Sequence, residues 1–339
     1  MDPTHRRTDI PVLMLHNLDP AWDSAETANA VESAEKLATE LNKEGHPVTV
    51  VPVTDATLGD LLRLYAPEDF VVFNWCEELP GCPRSDAAVA GILESMNFAY
   101  TGSSPDILAF SWDKAAVKEM LNSQGIPTPD GRVIDPQRVD VWDRFPAIVK
   151  PALEHCSFGI STDAVVMDRQ ELKQRVAFVH DTFKQPALVE AFIDGREFHV
   201  TLWGNGTVHP LPAAEMDFSA FEQVRDRLCT FDSKFIPGSV HYEKIELRIP
   251  AALDAAQLAT LNRTAVGAYR AMGCRDYARI DLRMENDLYY VLDINPNADL
   301  SADTTLVYAA EAAGLSYGAM ASLLVNLAAQ RHPVFSSGT

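Results

Sequence analysis

Short apolar runs alternate with amphipathic stretches through the first third of the chain. Residues 12–16 form an apolar run that ends in His16, residues 24–44 repeat apolar positions at helical spacing, and residues 48–53 return to a short apolar run beyond Gly45 and Pro47. The pattern predicts strand, helix, strand. Ser24 stands where a helix N-cap is favoured, with Glu26 and Thr27 in the first turn, and Gly45 stands where a left-handed C-terminal residue is favoured. Residues 70–73 read as a strand buried on both faces, followed by a helix over 85–96 and a short strand over 98–101. This rhythm predicts a doubly wound parallel sheet.

The character changes after a helix over 113–124, which Gly125, Pro127 and Pro129 stop at a linker or domain edge. An apolar run at 147–150, a loop through Gly159, a strand near 164–167, a helix over 169–183 and a strand over 187–193 follow. Strands over 197–203 and 207–211 flank Asn205-Gly206, a dipeptide that favours hairpin turns. Antiparallel strands and an α+β region are the expectation. Next come an irregular stretch at 217–247, a helix over 254–272 and strands over 277–284 and 288–294 across Glu285-Asn286-Asp287. Helices over 303–313 and 316–329, separated by Gly314, close the chain. The stretch 217–247 is too long for a plain connection and reads as a functional lid.

Composition narrows the classes. With 339 residues, 47% hydrophobic and 22% charged, the chain is long enough for two or three domains and unlike a disordered one. No apolar run approaches the roughly 20 residues of a spanning helix. Residues 1–9 are polar without an apolar segment behind them, so a cytoplasmic protein is expected. The net charge of −20 opposes nucleic-acid binding. That charge is uneven, with 6 basic and 18 acidic residues through Phe110, so a phosphate site belongs after Ser111. The five cysteines, Cys76, Cys82, Cys156, Cys229 and Cys274, form no CxxC pair and read as free thiols.

The last hairpin carries the densest chemistry. Arg279 and Asp281 lie two apart on one strand, and Asp293 and Asn295 two apart at the exit of the next, so all four can share a face. Two carboxylates and an amide oxygen suit Mg²⁺; the same residues also read as a solvated edge with an Arg–Asp pair. Lys150 ends a buried run beside a loop whose Cys156, Ser157 and Gly159 would let backbone N–H groups approach a phosphate. Glu190 and Glu197 suit hydrogen bonds to a nucleotide and, equally, surface ion pairs.

Several segments, taken in order, carry a resemblance. They are Tyr100-Thr101-Gly102-Ser103 with Asp113-Lys114, Ile148-Val149-Lys150-Pro151, and the run from Leu188 through Glu190 to Glu197 and Phe198. Phe231-Asp232-Ser233-Lys234-Phe235, the run from Gly273 to Asp281, and Asp293-Ile294-Asn295-Pro296-Asn297 complete the set. The chain resembles the ATP-grasp superfamily, and within it D-alanyl-D-alanine ligase and its relatives. The resemblance implies an N-terminal doubly wound parallel-sheet lobe (1–112), then two α+β lobes (113–198 and 199–339) sandwiching ATP. It implies that Lys114 and Lys150 hold phosphates, with Ser157 in the phosphate loop, and that Glu190, the backbone of Ala191, Phe192 and Ile193, and Glu197 receive adenine and ribose. Asp281, Asp293 and Asn295 would bind Mg²⁺ or its substitute Mn²⁺, Lys234 would reach the γ-phosphate from a mobile loop, and Arg279 would stabilise an oxyanion. A homodimer is implied as well.

The chain departs from the family pattern where substrates bind. The glycine- and serine-rich loop with its glutamate is replaced by His16-Asn17-Leu18-Asp19-Pro20, and a His-Gly pattern by Asn74-Trp75-Cys76-Glu77-Glu78. The small loop after Asn295 becomes Asn297, Ala298, Asp299, Leu300 and Ser301. Glu77, Asp299 and Ser301 are thus the candidate substrate residues, and Asp299 would repel an acceptor's carboxylate. The expected activity is an ADP-forming carboxylate–amine ligase that passes through an acyl phosphate and joins an amino acid or small acid to a nonstandard amine. A true D-alanyl-D-alanine ligase and a non-catalytic nucleotide-binding protein are the alternatives.

Overall fold

The computed structural model describes residues 6–155 and 157–336. Strands β1 (Val12–Asn17), β2 (Val48–Val53), β3 (Val71–Trp75) and β4 (Ala99–Tyr100) form a parallel sheet in the order β2-β1-β3-β4. Alternation along β1 explains why Val12 to Leu15 are all apolar. Val12 and Met14 enter one core with α1 (Ser24–Glu44), while Leu13 and Leu15 enter another with α2 (Leu58–Leu62) and α3 (Asp86–Ser95). Helix α1 buries Ala34, Leu37, Ala38 and Leu41, one stripe at helical spacing. Its N-cap is Asp23 rather than Ser24: the Asp23 carboxylate accepts from the Ala25 and Glu26 amides, and Glu26 reaches back to the Asp23 amide. A carboxylate at that position also complements the helix dipole. Gly45, at φ 110°, ends the helix in the left-handed region.

Two short helices follow, α4 (Pro105–Ser111) and α5 (Lys114–Ser123). The second sheet is antiparallel, with β5 (Gly131–Ile134), β6 (Ala147–Pro151), β7 (Val165–Val166) and β8 (Ala187–Ala191) in the order β5-β8-β6-β7. Helix α6 (Arg169–Phe183) covers it through Leu172, Val176 and Val179. The third sheet is also antiparallel. It holds β9 (Arg196–Trp203), β10 (His209–Pro210), β11 (Ala214–Asp217), β12 (Glu246–Arg248), β13 (Tyr277–Glu285) and β14 (Leu288–Asn295) in the order β12-β11-β9-β13-β14, with β10 beside β9. Between β11 and β12 lie the short helices α7 (Phe231–Phe235) and α8 (Val240–Lys244), so the stretch read as an irregular lid carries structure of its own. Helix α9 (Ala255–Met272) packs under this sheet.

Helices α10 (Thr305–Ala312) and α11 (Tyr317–Ala329) close the chain. The sequence division places them with the third lobe, yet α11 lies in the core of the first, where Leu324 and Val325 join Met14, Leu37 and Phe73. Every residue of α11 is buried, and a helix apolar on all sides needs cover on all sides. The two lobes are also joined by polar bonds. The Gly102 amide donates to Asp276 at 2.9 Å, the Ser103 amide donates to Asn297 at 2.8 Å, and Arg331 donates to Asp276 and to the Tyr100 carbonyl. A Cβ on Gly102 would stand 2.5 Å from the Asn297 side chain, so this junction requires glycine. Among the described residues, no single helix is long and apolar enough to cross a membrane.

Candidate active site

The β13–β14 hairpin places Arg279 opposite Asn295 and Asp281 opposite Asp293. These four residues, singled out by their spacing, therefore stand in two facing cross-strand pairs. Arg279 grips Asp281 with two hydrogen bonds, Nε to Oδ1 at 2.7 Å and Nη2 to Oδ2 at 2.9 Å. The Asn295 amide donates to Asp281 Oδ2 at 3.2 Å. Immediately after Asp281 the register shifts by a bulge, a device that re-aims side chains beside active sites.

Asp293 is met from another element. Lys114, the first residue of α5, puts its ammonium 2.8 Å from Asp293 Oδ2. Asp113 caps α5 and fixes where Lys114 emerges, and the Lys114 amide donates to the Ala152 carbonyl of the second lobe. Burial alone would raise the Asp293 pKa, but Lys114 and His155 outweigh it and hold the carboxyl below its ordinary value. Asp281 behaves alike: burial raises it, and Arg279 and His199 bring it lower overall.

On the second sheet, Lys150 from β6 pairs with Glu190 from β8. Lys118, one helical turn beyond Lys114, approaches the other oxygen of Glu190 at 2.5 Å and also donates to Thr128 Oγ1 and the Pro129 carbonyl. Sequence reasoning missed Lys118; its signal was the four-residue spacing that puts it on the face of Lys114. The Glu190 side chain is 3% exposed, so a carboxylate there must be paired. Burial pushes its pKa up, and the two ammonium groups push it further down, leaving it below its usual range. Close packing leaves no room for a side chain at Gly131 on β5, whose Cβ would lie 2.7 Å from Glu190 Cγ. Lys114, Lys118, Lys150, Glu190 and Asp293 thus line one small cleft between the second and third sheets.

Beside that cleft, the Ala191 amide donates to the Asp130 carbonyl and the Phe192 amide to the Pro146 carbonyl. These two N–H groups are used within the lobe, so any nucleobase contact falls to other backbone groups of the segment. The Ile193 carbonyl accepts from Arg283 at 2.7 Å. Arg283 also donates to Glu197 Oε2 at 2.8 Å and lies over the Phe192 and Phe218 rings. It joins the two lobes and the lid, a role invisible from spacing because Glu197 is its cross-strand neighbour on β9. Burial would raise the Glu197 carboxyl, and Arg283 with His199 holds it well below the carboxylate range.

The remaining candidates stand further out. Lys234 lies on α7, exposed, and its charge helps lower Asp281. Ser157 adopts φ 58° and donates its hydroxyl to the Cys229 carbonyl at 3.3 Å, so its side chain ties its loop to the segment after β11. Cys156 lies outside the described residues.

Glu77, after β3, sits apart from the paired charges. Its side chain reaches solvent but is recessed among protein atoms, and burial, Asp299, Glu78 and Asp86 push its pKa up to about 7. Asp299 accepts from the Ser301 amide at 2.8 Å and hydroxyl at 2.7 Å, so Ser301 serves first to fix Asp299.

The family model described as D-ala D-ala ligase C-terminus matches residues 128–326, which include both antiparallel sheets and every paired charge of the cleft except Lys114 and Lys118. The chain belongs to the D-alanine–D-alanine ligase family of ADP-forming ligases. Within that family it is 28% identical to D-alanine–D-alanine ligase of Marinomonas sp. (strain MWYL1), over 88% of this chain and 90% of that one. It is 33% identical to uncharacterized protein y4sG of Sinorhizobium fredii (strain NBRC 101917 / NGR234), over 92% and 90% of the two chains. The fold matches the crystal structure of Bacillus anthracis D-alanine–D-alanine ligase complexed with ATP at a TM-score of 0.70, with 20% identity and 94% and 97% coverage.

Proposed function

We propose that this family member joins an amino acid or small acid to a nonstandard, positively charged amine, using ATP and passing through an acyl phosphate. The observation that carries the reading is the facing arrangement of Arg279, Asp281, Asp293 and Asn295 with Lys114 set against it. Two partly buried carboxylates and an amide oxygen form a hard donor set that fits Mg²⁺ or Mn²⁺, and each carboxylate is held by a basic group that an ion could replace. The bound ion would offset polyphosphate charge.

The lysines fit a polyphosphate. Lys114 and Lys150 would bind its oxygens, Lys234 would approach from the lid, and Lys118 would hold Glu190 in place to receive the adenine amine. Glu197, oriented by Arg283, would accept the ribose hydroxyls. The acid's carboxylate oxygen would attack the γ-phosphorus, breaking the bond to the β-phosphate oxygen and releasing ADP. The amine would then attack the acyl carbon, and inorganic phosphate would leave with the amine proton passing to solvent. Arg279, released from Asp281, would carry the negative charge on the tetrahedral oxygen. Phe221, Leu228 and the 217–247 segment would keep water from the acyl phosphate.

Substrate choice rests on Glu77 and Asp299. Asp299 helps raise the Glu77 pKa, and a cationic group between the two acids would relieve that repulsion. Incubation with ATP, Mg²⁺ and pooled acids and amines tests the reading by ADP release. Release that requires both an acid and a cationic amine supports it. Release with D-alanine alone identifies an ordinary D-alanine–D-alanine ligase, and nucleotide binding without any release identifies a protein that does not catalyse.

A further inference from the structure

A second donor set lies next to the oxygen-lined hairpin and has a different chemical character. Glu197 and His199, two residues apart on β9, share a face of the sheet, and Cys229 comes to them from the 218–230 segment. A carboxylate oxygen, an imidazole nitrogen and a thiol sulfur all lie within 4.8 Å of one another. Arg283 engages Glu197 through Oε2, which leaves Oε1 toward His199 Nε2 at 3.3 Å. An outer partner that fixes a ligand's orientation is the arrangement found around bound metals.

One atom in this cluster is unexplained by the protein alone. His199 is 5% exposed and its Nδ1 has no hydrogen-bond partner. With Nδ1 unpaired, the ring proton can sit there and leave the Nε2 lone pair to an ion shared with Glu197. Thiol and imidazole donors favour borderline ions of the Zn²⁺ class over Mg²⁺, which prefers oxygen. Tetrahedral ligation at ordinary bond lengths puts donor atoms about 3.4–3.8 Å apart, so the three need close by only about 1 Å to meet one ion.

We propose that Glu197, His199 and Cys229 bind a borderline divalent cation of the Zn²⁺ class, and that this ion excludes nucleotide by taking Glu197. The thiol proton goes to solvent as the sulfur–metal bond forms, and thiolate and carboxylate together offset the ion's charge. The ion also pins the 218–230 segment to β9. The exclusion clause rests on Glu197 as the ribose acceptor; the site itself does not.

Cobalt(II) titration of the metal-free protein reads the site directly, without turnover. A thiolate-to-cobalt charge-transfer band saturating at one equivalent is expected, bleached by Zn²⁺, lost in Cys229→Ser and weakened about 10-fold or more in His199→Ala. Cys82→Ser, at an exposed thiol elsewhere, keeps the band. Absence of the band in the parent protein, or its survival in Cys229→Ser, overturns the site. Calorimetry with ATP then tests exclusion: Zn²⁺ should weaken binding about 10-fold in the parent and not in Cys229→Ser. Unchanged ATP affinity beside a normal cobalt band overturns the exclusion and removes the ribose from Glu197.

Discussion

Two clusters of charge, one lining the cleft and one set apart from it after β3, are built oppositely. At the cleft end of the β13–β14 hairpin and on β8, the acids have basic partners: Asp281 has Arg279, Asp293 has Lys114, and Glu190 has Lys118 and Lys150. After β3, Glu77, Glu78 and Asp86, with Asp299 near them, form no ion pair among the described residues, and Glu77 is pushed up to about 7 by burial and by its acidic neighbours. Buried charges persist only when paired, so the balanced cluster can form and hold its shape before any ligand arrives. The unbalanced cluster pays for its acids until a cation comes. Under the proposed function, balance would mark the part that handles nucleotide, which brings its own negative charge, and imbalance the part that selects what is joined.

Substitutions can break this contrast, beginning with the balanced side. Arg279→Ala should leave ATP binding nearly intact and reduce turnover by about 10² or more, as for loss of an oxyanion donor. Steady-state kinetics beside ATP calorimetry measures both, and unchanged turnover would remove Arg279 from the chemistry. Glu190→Gln leaves two buried ammonium groups without a counter-charge and should cost about 3–5 kcal/mol in urea unfolding. A loss below about 1 kcal/mol would show that the cluster is not held by its pairing.

The unbalanced side should respond in the other direction. Glu77→Gln should lower kcat/KM for a cationic amine roughly 10-fold, about what one charged hydrogen bond contributes, and leave a neutral amine unaffected. Its pH dependence has a definite sign. A carboxyl whose folded pKa is raised from 4.5 to about 7 binds more protons folded than unfolded between those values, so stability falls as pH rises through that window. Glu77→Gln should therefore raise Tm at pH 8 and leave it unchanged at pH 4, as a thermal scan at the two pH values would show. The smallest effect lies far from either cluster: Asp23→Ala should cost about 1 kcal/mol through loss of the α1 cap, while Ser24→Ala costs much less.

Legibility in the sequence followed the range of the interactions. Helices 24–44 and 169–183 have the boundaries their periodicity predicts, because a local stripe and local caps determine them. The four residues of the hairpin face one another because a two-residue spacing on a short turn is also local. Strand β5 was hidden: four residues between Pro127, Pro129 and Pro136 read as a linker, and only pairing with β8 makes them a strand. Lys118 and Arg283 escaped for the same reason. Their partners, Glu190 and Glu197, are 72 and 86 residues away, so the spacing that sets Lys118 on the face of Lys114 does not say what it meets. The destination of α11 was likewise set by a distant surface, since its apolar run fits any core of sufficient size.

The balance of charge makes its sharpest statement about what is joined. Mass spectrometry of the products formed from ATP, Mg²⁺ and an equimolar pool of neutral and cationic amines with amino acids measures that choice in one reaction. The predicted result is an amide whose amine component carries an additional positive charge, formed with one ADP for each product. An amide made only from neutral amino acids, with D-alanyl-D-alanine foremost, would contradict it.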